Sequence, residues 1–433
     1  MRGKKVNKFT IGIIAILLFA AIFEVYLLFI RPALEKNMIT VPLELLLTII
    51  MIIFSLVGVI SVITIIIMSK LNKNNKELKK SRKSIILGTF LILILSALQI
   101  FYTQKTTYTP PILNEYGDVV PTSVTDLEEV HSGDMKQWIS MRGVDKTKPI
   151  LLVLAGDLGE SKLSSIRLNL KDLENEFVVV TAEMLGSGKS FYKLDKEDIS
   201  FESYVSEYQK LVEYVRTRFN KEKIYMMGDS FGSILGMTLV QRYPQYFEGF
   251  VGADVFTSLK ERSEYCYNKA MEKAEEAQDD KELRKLKAQG KPPYEVKDVY
   301  KKEKTYIDYL KEEIKNSPYV QEVEKSTIDY ILVPEYGTLD KINYFRSGKT
   351  FDNLYKKFYN VNLNEMDKEF KVPIYFFQGR NDEINSASLV TNYFNSINAP
   401  NKNLVWFEDS GNEPWVTESN KFTKEVISKF IGR

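Results

Sequence analysis

The 433-residue chain has one cysteine, Cys266, and one histidine, His131. A lone cysteine excludes an intrachain disulfide, and a lone histidine excludes a Cys/His metal cluster. A carboxylate-only ion site stays open, but no metal or other cofactor is expected. An excess of charge of one sign is also lacking, with 59 Lys and Arg against 57 Asp and Glu. Nucleic acid as the main partner would need a basic face to neutralise phosphates, so none is expected.

Long apolar runs are present, and they are confined to the first ~105 residues. Thr10–Ile30 is apolar apart from Glu24, Val41–Met68 apart from Glu44 and small polar residues, and Ser84–Tyr102 forms a third run. Each reaches the roughly 20 residues that a helix needs to cross about 30 Å of hydrocarbon. A cleaved signal peptide fits poorly, because its apolar core is shorter and two more runs follow. The spacing predicts three membrane spans, with the lipid bilayer as partner. Arg2, Lys4, Lys5 and Lys8 precede the first run without an acid. Lys70–Lys83 carries seven basic residues against Glu77. The positive-inside rule puts both segments in the cytoplasm and the C-terminal part outside the cell membrane. Glu24 and Glu44 then fall in the outer half of the bilayer, near an interface or paired within the helices.

Thr103–Tyr116 is rich in Thr and Pro, so residues 106–120 are expected to be an extended linker. From residue 121 to 433, strand and helix patterns alternate. Apolar strands are expected at Pro149–Ala155, Phe177–Thr181, Lys223–Met227, Val372–Gln378 and Asn403–Phe407. Helices are expected at Phe201–Phe219, Phe231–Tyr243, Ser386–Ile397 and Glu418–Ile431. Such alternation implies an α/β fold with a mostly parallel sheet covered on both faces. Residues 255–371 break the rhythm with charged helices, Lys260–Lys287 and Lys301–Asn316, and read as an inserted helical cap.

The residues Gly228-Asp-Ser-Phe-Gly232 lie between an expected strand and an expected helix. G-x-S-x-G in that setting is a nucleophile elbow: the glycines allow a turn too tight for a Cβ, and Ser230 is lifted above the sheet edge. The Phe231 N–H would face a developing oxyanion. A second glycine motif, Gly186-Ser-Gly-Lys-Ser190, is not a phosphate loop, because Glu183 stands where the first glycine is required. The serine needs a base, and the usual partners follow as an acid and then a histidine. Asp382, after the strand 372–378, suits the acid. After the strand 403–407, where the histidine should stand, the chain has Asn412.

Over residues from about Val124 to Phe422 the sequence resembles the prolyl aminopeptidase group of α/β hydrolases. The resemblance rests on Gln137–Gly143, Pro149–Gly159, Leu185–Ser190, Met227–Gly236, Pro292–Tyr294, Val372–Asp382 and Leu404–Gly411. It implies a capped α/β-hydrolase fold and a Ser–Asp–His triad acting on peptides with a free N-terminus, or on related esters and amides. The departures cluster at the chemistry. The family's His-Gly-Gly-Pro-Gly loop reads Ala155-Gly-Asp-Leu-Gly159, its Asp-Gln-Arg-Gly loop reads Glu183-Met-Leu-Gly186, and its histidine aligns with Asn412. Asp157 takes the place of an oxyanion-hole glycine, and a carboxylate there repels a developing oxyanion. The family's cap glutamates suggest Glu261 and Glu264 as candidates for holding a substrate amine.

Asparagine cannot shuttle a proton near neutral pH. Losing a triad member leaves only about 10³–10⁴-fold catalysis over water. His131 belongs to the first strands, away from the active edge, while Asp229 and Asp157 are the unorthodox alternatives as base. The expectation is therefore a membrane-anchored hydrolase relative with impaired catalysis, binding a peptide or small molecule. The alternative is an active serine hydrolase whose base is not histidine.

Overall fold

The structure is a computed structural model that describes residues 25–26, 40–71, 75–132, 135–156, 158–193, 199–294, 299–320 and 325–432. It divides into two units. One contains the N-terminal region to Thr107 together with Leu332–Leu339, and the other contains Tyr108–Ile331 with Asp340–Arg433.

In the first unit, helices α1 (Thr40–Leu71) and α2 (Lys76–Lys105) pack side by side. The stretches Pro42–Leu71 and Ser81–Lys105 are long and apolar enough to cross a membrane. Leu56, Ile60, Ile63 and Phe90 are exposed, as a lipid-facing surface would be. Polar rungs join the helices: Ser55 Oγ lies 3.0 Å from Ser96 Oγ, and Gln99 Nε2 donates to Thr48 Oγ1 at 2.9 Å. These side-chain bonds link the two helices along their shared face. Glu44 lies on α1, whereas Glu24 and nearly all of the expected span Thr10–Ile30 lie outside the described residues. Thr103 Oγ1, near the end of α2, meets Thr338 Oγ1 of the same unit at 3.0 Å.

The second unit is built on one eight-stranded sheet in the order β1-β2-β4-β3-β5-β6-β7-β8. The strands are β1 (Val124–Ser132), β2 (Met135–Gly143), β3 (Ile150–Ala155), β4 (Val178–Ala182), β5 (Ile224–Asp229), β6 (Phe247–Ala253), β7 (Ile374–Gly379) and β8 (Lys402–Phe407). Pairing is antiparallel from β1 through β2 to β4 and parallel elsewhere. β3, β4 and β7 are buried along their whole length. This accounts for their unbroken apolar sequences, since helices cover both faces of the sheet.

Helix α3 (Phe201–Arg218) starts at a reciprocal cap. Ser203 N–H donates to Ser200 Oγ at 3.1 Å, and Ser200 N–H donates to Ser203 Oγ at 3.0 Å. Its Tyr204, Tyr208, Leu211, Val212 and Val215 stripe is buried. Helix α4 (Phe231–Arg242) follows β5 directly. The cap lies between β6 and β7 and includes α5 (Leu259–Glu276), α6 (Asp280–Gln289) and α7 (Val299–Lys315). The expected single helix Lys260–Lys287 is thus two helices. The first ends at Glu276, and Asp279 caps the second by accepting the N–H groups of Lys281 and Glu282.

Part of the expected linker is tied to the sheet. Thr109 and Pro110 are pinned to the sheet by Arg142, whose Nη1 donates to Thr109 Oγ1 at 3.0 Å and to the Pro110 carbonyl. Arg142 is held in turn by Glu174 at 2.7 Å.

Candidate active site

At the end of β5 the chain turns sharply into α4. Ser230 sits at the turn with φ 54° and ψ −125°, a region that L-residues rarely occupy. A Cβ on Gly228 would meet the Gly232 carbonyl, and one on Gly232 would meet the Leu154 carbonyl of β3. The turn therefore requires glycine at both positions. Phe231 opens α4, so its N–H is among those that have no acceptor within the helix.

Ser230 opens into a cleft of about 370 Å³. Asn412 lines it, as do the acids Glu160, Asp229, Asp254 and Glu413 and the cap bases Arg262 and Lys311. The acids interact strongly. Asp229 is fully buried and accepts the Trp415 indole N–H at 2.9 Å. Burial and then the Glu413 charge push its carboxyl up to about 7. Asp254, also fully buried, is pushed well up by burial and by Asp229, Asp382 and Glu413. Lys162 neutralises part of this charge by pairing with Glu160 at 2.9 Å and with Glu413.

Asp382 stands just beyond β7, where the sequence places the acid. Its oxygens already serve its own loop: Gln378 Nε2 donates at 2.8 Å, Ile384 N at 2.7 Å, Asn385 N at 3.0 Å and Asn385 Nδ2 at 3.1 Å. Burial raises it to about 6, against the lowering effect of these donors. Among the described residues, no hydrogen bond joins Asn412 to Asp382 or to Ser230. Asp157 lies outside the described residues.

Glu261 does not line the Ser230 cleft. It borders a neighbouring pocket of about 230 Å³ that shares Arg262, Ile384 and Asn385 with the first. There it accepts the Thr257 hydroxyl at 2.7 Å. Glu264 lines neither space, and its charge helps to raise the Tyr359 hydroxyl, after burial. His131 is exposed on edge strand β1, 3.6 Å from Glu129, with β2, β4 and β3 between it and β5. The Gly186–Ser190 loop is internal structure: Glu183 accepts the Lys189 N–H at 3.0 Å, and Lys189 Nζ pairs with Asp340.

A mostly parallel sheet with Ser230 on a tight turn after β5 and a helical cap between β6 and β7 agrees with a family comparison. Residues 149–417 match the family described as the alpha/beta hydrolase fold. The chain belongs to the α/β hydrolases. Among characterised sequences, this α/β hydrolase is 25% identical over 311 residues to a protein named probable aminopeptidase YbaC from Bacillus subtilis. That match covers 70% of this chain and 96% of the relative. A proline iminopeptidase structure from Mycobacterium smegmatis aligns at 16% identity and a TM-score of 0.52, covering 71% of this α/β hydrolase and 98% of that chain. A membrane phospholipase A structure aligns at 13% identity and a TM-score of 0.52, covering 81% and 98%. At such identities the two structures share the fold.

Sequence reasoning had no reason to single out Asp254, Glu160, Lys162 or Lys311. Asp254 follows β6, whose glycine-bearing Phe-Glu-Gly-Phe-Val-Gly-Ala sequence gives a weak strand signal. The other three become site residues only through the packing of distant loops and cap.

Proposed function

We propose that this α/β hydrolase is a membrane-anchored protein whose capped cleft binds a peptide or small molecule, and in which hydrolysis by the histidine route is lost. The supporting observation is the broken relay. Asp382 spends both oxygens on Gln378, Ile384 and Asn385, and residue 412 is an amide without a bond to either Asp382 or Ser230. The helices α1 and α2 anchor the chain, and the basic flanks favour a cytoplasmic N-terminus with the hydrolase domain outside. The resemblance to aminopeptidases makes peptides and their amides the first ligands to try.

Asn412→His tests the impairment. The variant should hydrolyse amino-acid esters and amides at least tenfold faster than wild type, since a positioned base contributes about 10²–10⁴-fold. Wild-type turnover that equals or exceeds that of the variant rejects the reading. A second reading keeps Ser230 as a working nucleophile served by a carboxylate, and the acids lining its cleft favour it.

A further inference from the structure

The ends of β5 and β6 carry matching distortions. Ser230 has φ 54° and Asp254 has φ 47°, and neither is glycine. Holding a non-glycine residue there strains the backbone, and such strain gathers at functional sites. The two bends are neighbours, because the Ser230 N–H donates to the Ala253 carbonyl at 3.1 Å. Ser230 and Asp254 both line the same cleft.

The carboxylate is only half used. Asp254 Oδ2 accepts the Glu413 N–H at 2.6 Å, while the buried Oδ1 has no hydrogen-bond partner. A buried oxygen left without a donor is costly. The fold nevertheless keeps this one at 0% exposure beside its elbow serine. A group that receives the serine proton gives that oxygen a role.

We propose that Asp254 is the base that serves Ser230, its Oδ1 taking the hydroxyl proton as the serine attacks an ester. This rests on the second of the two readings above. As the proton leaves for Oδ1, Ser230 Oγ bonds to the ester carbonyl carbon. The bond from that carbon to the alcohol oxygen then breaks, and the departing alcohol takes the proton from Asp254. In the second half, water bonds to the acyl carbon and gives its proton to Oδ1. The bond from that carbon to Ser230 Oγ breaks, and Asp254 returns the proton to the serine. Ester and water become acid and alcohol, and the carboxylate is regenerated.

Asp229 from β5, Asp382 from the loop after β7 and Glu413 from the loop after β8 all act on Asp254. Glu160, Arg262 and Lys311 line the same cleft, and Lys162 pairs with Glu160 and Glu413. The acids and burial hold the Asp254 proton on, so the active ionised fraction grows as pH rises.

The test measures acylation of Ser230 in the full chain in detergent, using a fluorophosphonate and the p-nitrophenyl acetate burst from pH 5.5 to 9. Wild type should acylate slowly, faster as pH rises, and Ser230→Ala not at all. Asp254→Asn should lose about 10²-fold and give a flat pH profile, while Asp229→Asn keeps the rising profile. A circular dichroism melt of Asp254→Asn controls for folding. The proposal is overturned if folded Asp254→Asn acylates like wild type, or keeps the rising pH profile at a lower rate. It is also overturned if wild type does not acylate at all. That last result leaves the binding reading standing, whereas failure of Asn412→His to outpace wild type bears on the binding reading alone.

Discussion

Lys189 Nζ lies 2.8 Å from the Asp340 carboxylate, with both side chains buried to 1% exposure or less. The lysine also sits 4.2 Å above the Trp138 ring. Removing one partner of such a pair strands a charge in the interior. Asp340→Ala should cost about 3–5 kcal/mol, read as a lower denaturant midpoint. Glu408→Ala, which breaks an exposed pair with Arg380, should cost under about 1 kcal/mol. Equal effects would mean that Lys189 finds another partner when Asp340 is lost.

The raised carboxyls set the pH dependence of stability. Asp229 and Glu183 are pushed to about 7 and Asp382 to about 6, all chiefly by burial. Each binds its proton more tightly in the folded chain than in the unfolded one. The folded state therefore holds more protons between about pH 4 and 7, and stability falls as pH rises through that window. Urea melts should give a higher midpoint at pH 5 than at pH 7.5. Glu183→Gln should flatten the slope, and a midpoint that rises with pH contradicts the assignment.

Strain at the elbow predicts a gain on its removal. Ser230→Gly supplies the residue that adopts positive φ without penalty. It should raise stability by about 1 kcal/mol while abolishing acylation. A loss of stability in this variant means that the turn is not strained.

The sole histidine lies on an edge strand, so His131→Gln should leave acylation and ligand binding within twofold of wild type. A larger loss in either assay moves His131 into the site.

How much of this was legible in the sequence follows from locality. Gly228, Ser230 and Gly232 were readable because a tight strand-to-helix turn imposes its residue types within five positions. The position of Asp382 was readable because it follows a strongly apolar strand. The engagement of its carboxylate was not, because the side chains of Gln378 and Asn385 turn back on it only in the folded loop. The Gly186–Ser190 motif was set aside on one residue, Glu183, whose carboxylate accepts the Lys189 N–H within that loop. Asp254 stayed hidden because β6 has two glycines and no apolar run. The division of Lys260–Lys287 depended on Asp279, a single capping residue in a charged stretch with strong helix formers on both sides.

The partition between the two pockets has a practical consequence. Arg262, Ile384 and Asn385 form a party wall with a face in each chamber. Shortening Ile384 would open a doorway between them without disturbing Ser230. The length of ligand accepted would then be governed by one side chain in the wall, independently of the chemistry beside it.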